Sequence, residues 1–480
     1  MVSTLLKVEG ILVSESLQKA SQLLEAEKGL PASVKAIITM LVLIVQLLMD
    51  RLGINSTNSS IPPSQDENRK RGSKKACSAK KRGGQAGHTG NRLNRISDPD
   101  VITYLEVDKS CLQPEHFYMN IGYEVRQVFD IEIKRHVTEY RAEILQDETG
   151  RKIVAAFPDH VTTDVQYGSQ VKAHAVYMSQ YQLLPYDRIQ EYFASQMHLP
   201  LSVGSIFNFN QLAYTLLEEF ENITKCRLIA AALIHADETG INIDKKRCWL
   251  HVASNGLWTH FYPHQKRGVQ ATNEIGILPL FSGILCHDHW KPYYKFTTCL
   301  HSLCNAHHIR ELTYALEQDN QQWAKLLIEI LIKIKSDVDE KEAAMLTQEK
   351  AQEYLQEYLA ILEKGKEECP LASALENPRR GRVKQSKSRN LLNRLLEYHE
   401  DVLRFMTNPI VPFTNNQSEN DLRMTKVQQK ISGCFRSHEG ALIFCRIRGY
   451  LSTCRKHGVN VAEALKILFE GKLPEFAYES

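Results

Sequence analysis

Three acids stand out by their settings. Asp237 closes the apolar run RLIAAALIHADE (227–238), Asp288 closes FSGILCHD (281–288), and Glu419 lies in the polar segment NNQSENDLRMTKVQQK (415–430). A carboxylate at the end of an apolar strand is costly unless something compensates its charge. One compensation is a divalent cation, and two acidic strand ends side by side make a good site for a hard one. In the third segment Glu419, Arg423, Lys426 and Lys430 recur at steps of four, three and four, so on a helix they share one face. One acid and three cations on a face suit a metal ion plus phosphates, the cations gripping the strand being cut. The bland alternative is three separate structural ion pairs and a solvated helix face.

These residues need a sheet and a helix to bring them together. The run ending at Asp237 reads as a buried central strand, followed by strand-like CWLHVASN (248–255) and LWTHFYPH (257–264). A helix near 272–280 and the strand ending at Asp288 come next. Residues 309–365 read as helical, with charged faces and Leu/Ile stripes, and a further helix spans 391–406. His287 and His289 flank Asp288 and, by strand alternation, face away from it. Cys304 and His307 form a Cys-x-x-His pair, but two ligands do not make a tetrahedral site. His307 and Arg310 are candidates for contacts to DNA phosphate or to the acidic site, or for plain structural roles.

Upstream the chain changes character several times. Residues 1–54 form an N-terminal helical segment in which Val34, Ile37, Leu41, Ile44 and Leu48 step by threes and fours, as in a coiled coil or an intramolecular hairpin. Residues 55–98 are a Ser/Pro-rich and then basic, Gly-rich linker. From Arg69 to Arg95 it holds ten Lys or Arg and no acid. Lys80, Lys81, Arg82 and His88 of this stretch are candidate DNA contacts, the alternative being a solvated tail. Alternating β-branched and aromatic residues predict a small β-rich module over 99–165. Residues 166–225 are helical, and 188–209 resemble a helix-turn-helix, either a DNA reader or a packing unit. A second basic stretch spans 379–389.

The chain has 480 residues, a net charge of +3 and a 43% hydrophobic fraction, which fits a soluble protein of about three domains. Its 11 cysteines show no repeated spacing, favouring free thiols in a reducing cytosol over a disulfide framework. The apolar run 36–49 is too short to span a bilayer comfortably, so no membrane partner is expected.

The ordered set HADETG (235–240), HDHWKPY (287–293), CNAHHIRE (304–311) and NNQSENDLR (415–423) resembles the insertion-sequence family IS-sixty-six. The linker 51–66, the basic GGQAGHTGNRL (83–93) and the segment 430–465 resemble it in the same order. The resemblance implies a DDE transposase of α/β class. Its catalytic core would be ribonuclease-H-like, a mixed sheet with flanking helices, over 226–310 and 391–465. A helical insertion would cover 311–390. Carried over residue by residue, the acidic triad is Asp237, Asp288 and Glu419. These would hold two Mg2+ (Mn2+ able to substitute), cleave element ends and transfer the 3′-hydroxyl into target DNA. Arg423, Lys426 and Lys430 would contact DNA. The implied partners are element and target DNA, a homodimer or higher assembly on that DNA, and accessory proteins of the element. The implied place is the prokaryotic cytoplasm, on the nucleoid. The family's zinc module, built on two Cys-x-x-Cys pairs, keeps only Cys111, so no structural zinc is expected there. Two other readings stand beside this one: a non-catalytic DNA-binding protein, and a ribonuclease-H-like nuclease without strand transfer.

Overall fold

The computed structural model describes residues 7–8, 11–12, 19–20, 22–24, 29–59, 66, 93–341, 344–371 and 385–479. Two compact units divide the chain, one of residues 70–139 and one of the remainder. In the smaller unit the described backbone makes a single 3-10 turn, Lys109–Cys111, and no strand. Gln127 there donates to and accepts from the Ile96 backbone at 2.7 and 3.0 Å.

The larger unit begins with a minimal antiparallel pair, β1 (Lys7–Val8) and β2 (Ile11–Leu12), and the helix α1 (Ala32–Gly53). The helical N-terminus expected from the sequence is thus interrupted at 7–8 and 11–12, while the described residues 19–20, 22–24 and 32–53 are helical. The apolar stripe of α1 is unburied, with Ile37, Leu41 and Leu48 all exposed. The β-rich module expected over 99–165 reduces to one hairpin, β3 (Ile144–Gln146) with β4 (Lys152–Val154). Alternation gives a strand only where another strand accepts its hydrogen bonds, and Val128 and Ile131 remain solvent-exposed without one.

The helical stretch that follows is α2 (Ser169–Val176), α3 (Tyr186–Met197), α4 (Val203–Leu216) and α5 (Glu218–Ile229). His198, in the left-handed region at φ 48°, ends α3, and the Ser202 hydroxyl caps α4 by accepting from the Ser205 N–H at 3.0 Å. The pair α3–α4 thus has the connectivity expected of a helix-turn-helix. Ile206, Phe209 and Ala213 of α4 are buried, and α4 itself carries no Lys or Arg.

A mixed sheet of five strands follows: β5 (Leu233–Ile243), β6 (Lys246–Ser254), β7 (Thr259–His264), β8 (Ile284–His287) and β9 (Leu300–Leu303). Their order is β7-β6-β5-β8-β9, the first three antiparallel and the last two parallel to β5. Helix α6 (Val269–Ile275) lies in the β7–β8 crossover. The apolar run from 227 splits between the end of α5 and the start of β5, because short apolar runs do not distinguish helix from strand. Before β8, a Cβ on Gly283 would lie 2.6 Å from the carbonyl oxygens of both Ala231 and Ala232, so only glycine fits this approach.

Next come α7 (Asn305–Gln318), α8 (Gln322–Asp339), α9 (Gln348–Glu368), α10 (Lys387–Glu397) and α11 (His399–Leu403). They build a second core around Trp323, Leu327, Tyr354 and Tyr358, joined to the sheet through Ile284 and Leu303. Leu391, Leu392 and Leu395 belong to this helical core, although residues from 391 were expected in the catalytic one. The chain closes with α12 (Asn416–Ser432), α13 (His438–Lys456) and α14 (Val461–Phe469). Helices α13 and α14 share the main core with α2–α5 and the sheet, while Leu422 of α12 packs with Ile241, Leu250 and Phe435. The ten described cysteines are all free; Cys445 and Cys454 are buried as expected, whereas Cys434 is exposed.

Candidate active site

The site grows from unequal strand lengths. β5 pairs with β8 over only three residues, Leu233 to His235, and then continues for eight more paired to β6 alone. Past His235, the edge of β5 that faced β8 is open. In open α/β sheets ligands settle in the crevice where neighbouring strands part at their carboxyl ends. Asp237 lies two residues past the last β5–β8 pair, and Asp288 directly follows β8. Asp237 is therefore in the middle of β5, not at its end as expected from the sequence.

Helix α12 covers the open edge. The Asn415 amide donates to the Ala236 carbonyl at 2.9 Å, and its oxygen is 2.7 Å from His235 Nδ1. Lys426 donates to the Gly240 carbonyl at 3.0 Å, and Phe435 exchanges backbone hydrogen bonds with Asn242 and Asp244. Glu419 lies in the first turn of α12, where the helix dipole favours a negative charge.

The electrostatics register the gathering of acids. Burial pushes the Asp237 carboxyl up to about 8, aided by the charges of Glu238, Asp288 and, more weakly, Glu419. Crowding of this kind marks a carboxyl group suited to sharing a proton or binding a cation. Asp288 accepts the Trp290 N–H at 3.0 Å, which turns its carboxylate back over its own loop. Asp237, Asp288 and Glu419 offer only oxygen, which suits a hard divalent cation, but among the described residues the donor atoms that lie within 4.8 Å of one another are those of Cys304, His307 and Glu419.

Glu238, which sequence reasoning missed, is a fourth acid in the cluster. Its side chain is 1% exposed, bound by Arg267 at 2.6 Å and by the Tyr293 hydroxyl at 2.5 Å. Burial and the charge of Asp288 nevertheless raise its pKa. The Arg267 guanidinium lies over the rings of Trp290 and Trp249, 4.4 and 4.8 Å from their centroids. The adjacent position in HADETG was its one sequence signal; its partners lie 29 and 55 residues away.

The remaining expectations divide. Arg423 and Lys430 are exposed on α12, while Lys426 spends a donor on β5 instead of presenting all three to solvent. His307 Nδ1 lies 3.8 Å from Glu419 Oε1, which places it at the acidic site. The Cys304 sulfur beside it pushes His307 up to about 9, against burial and the nearby Arg310 charge. His289 meets Tyr398 edge to face, ring centroids 4.6 Å apart, and burial brings it down to about 4. Lys80, Lys81, Arg82 and His88 lie outside the described residues, as does the second basic stretch up to residue 384.

A family model described as "Transposase IS66 family" matches residues 164–442, more than half the chain and the whole of this site. The chain belongs to that family. A second model, a family of unknown function, matches residues 14–94. The uncharacterized protein y4jO of Sinorhizobium fredii is 36% identical over 70 residues, 15% of this chain. That match spans 22% of the relative's own length. No helix among the described residues is long and apolar enough to cross a membrane.

Proposed function

We propose that the chain is a DDE transposase whose acidic triad is Asp237, Asp288 and Glu419 on a ribonuclease-H-like core. The observation that carries this reading is the placement of Asp237 two residues past the last β5–β8 pair and of Asp288 directly after β8, where the charges of Asp288 and Glu419 both act on Asp237. The fold assignment rests on the mixed sheet of three antiparallel and two parallel strands with helices on its flanks.

Asp237, Asp288 and Glu419 would hold two Mg2+, or Mn2+. Bound there, the ions supply an activated nucleophile and charge stabilisation on the leaving oxygen. The first reaction adds water to the phosphorus at the element's end, breaks its bond to the 3′-oxygen and frees a 3′-hydroxyl. In the second, that hydroxyl attacks a target phosphodiester and displaces the target's own 3′-oxygen. Arg423 and Lys430 supply cations to the DNA backbone from the exposed face of α12. Glu238, held by Arg267 and Tyr293, fixes the strand on which Asp237 sits. The partners are the element ends and target DNA, engaged by a homodimer or larger assembly, with accessory proteins of the element, in the prokaryotic cytoplasm.

The test is Asp288→Asn with DNA carrying the element's own ends. The wild type should cleave and join that DNA only when Mg2+ or Mn2+ is added. The variant should bind it normally and do neither. Cleavage unchanged in the variant overturns the triad; cleavage without joined products identifies a nuclease; metal-independent binding alone identifies a DNA-binding protein.

A further inference from the structure

We propose that Cys304, His307 and Glu419 form a binding site for one thiophilic divalent cation of the zinc class. The sequence alone offers only a two-ligand Cys-x-x-His pair. The third ligand comes from α12, which brings Glu419 against the start of α7, so that one donor atom from each residue lies within 4.8 Å of the other two.

Two buried atoms make the case for an ion. His307 Nδ1 and Glu419 Oε1 are both buried and have no hydrogen-bond partner. Their separation of 3.8 Å is too long for a hydrogen bond. It is within about half an ångström of the roughly 3.3 Å between two tetrahedral ligands that each reach about 2 Å to a common ion. Orphaned polar atoms in a protein interior call for an explanation, and a cation between them is one.

The third donor is prepared for metal. Cys304 follows β9 directly and is the N-cap residue of α7, a fixed backbone position at the junction of strand and helix. Its sulfur also accepts the Asn415 backbone N–H at 3.1 Å. That bond ties the start of α7 to the start of α12, so the ligands from both helices are held in place. A sulfur, nitrogen and oxygen set favours zinc, cobalt or cadmium over magnesium. Three protein ligands leave a fourth position open for water or a phosphate oxygen.

The consequence rests on the proposed triad. Glu419 belongs to both sets, so a cation held by Cys304 and His307 withdraws its carboxylate from Asp237 and Asp288. Zinc would then inhibit the magnesium-supported reaction by competing for one residue.

The experiment titrates Co2+ into the full-length chain in excess Mg2+ and reads thiolate-to-cobalt charge-transfer absorption, which an all-oxygen site does not give. One equivalent should bind, and Zn2+ should chase it. Cys304→Ser should abolish the band. His307→Ala and Glu419→Gln should each weaken cobalt binding more than roughly tenfold, since loss of an outer-shell partner alone costs 10–100-fold. Asp288→Asn should leave the titration unchanged while removing DNA cleavage, so the cation site and the triad stand or fall separately. No band in protein with native circular dichroism overturns the site, as does a band that survives Cys304→Ser. If Cys304→Ser does not fold, unchanged cobalt affinity in His307→Ala overturns it.

Discussion

Asn415 holds together the two elements that carry the acids. Its side chain is 1% exposed and bridges the Ala236 carbonyl and the His235 ring, while its backbone N–H reaches Cys304. Asn415→Ala removes both side-chain hydrogen bonds and leaves a buried carbonyl and a buried ring nitrogen without them. Each orphaned group costs about 1–3 kcal/mol, so a total loss of roughly 2–6 kcal/mol is expected. Urea denaturation of wild type and variant measures it, read as a shift in midpoint at unchanged slope. The positional effect should exceed the thermodynamic one. Glu419 is one turn beyond Asn415 on α12, and about 1 Å of misplacement costs on the order of 100-fold in rate. Metal-supported cleavage, assayed in buffer where both proteins are fully folded, should fall by that order. A stability loss under about 0.5 kcal/mol refutes the bridging argument, because two satisfied buried bonds cannot be removed so cheaply. A full stability loss with undiminished cleavage refutes the positional half.

Three further outcomes are expected. Lys456 donates to Asp421 at 2.9 Å and to the Asn255 carbonyl and Thr259 hydroxyl, with both charged side chains nearly buried. Lys456→Met should therefore cost about 3–5 kcal/mol by stranding Asp421, and adding Asp421→Leu should recover most of it in urea denaturation. Burial opposes ionisation of Glu221, but the His260 hydrogen bond and charge and the Arg446 guanidinium outweigh it and bring Glu221 down to about 2. A depressed folded-state pKa contributes stability that is fully present above the unfolded value and lost as pH falls through the folded one. The stability gap between wild type and Glu221→Gln, about 3 kcal/mol at pH 7, should thus shrink between about pH 4.5 and pH 2. A gap independent of pH in paired denaturation curves would remove Glu221 from that role. Removing divalent metal with a chelator should stop cleavage and joining, with activity restored by Mg2+ or Mn2+ and not by metal-free buffer alone; gel analysis of the products reads it.

What the sequence determined by itself was local in kind. Helical periodicity put Glu419, Arg423, Lys426 and Lys430 on one helix, the helix-turn-helix-like pattern over 188–209 marked the α3–α4 pair, and apolar runs marked the strands beside both aspartates. Each of these signals is carried by residues within a turn or two of one another. Partnership across the chain was decided by tertiary structure. The alternation over 101–141 looked like strands yet found no strand to pair with, and the short β9 at 300–303 was invisible until β8 lay beside it. Asp237 became a mid-strand residue because β5 outruns β8, a matter of register that no local pattern encodes. Glu238 gained its role from Arg267 and Tyr293, and the Cys304–His307 pair gained a third ligand when α12 docked on the open edge of β5. Burial and charge act through space, so the chemistry of these side chains was set by neighbours that the chain brings in from far away.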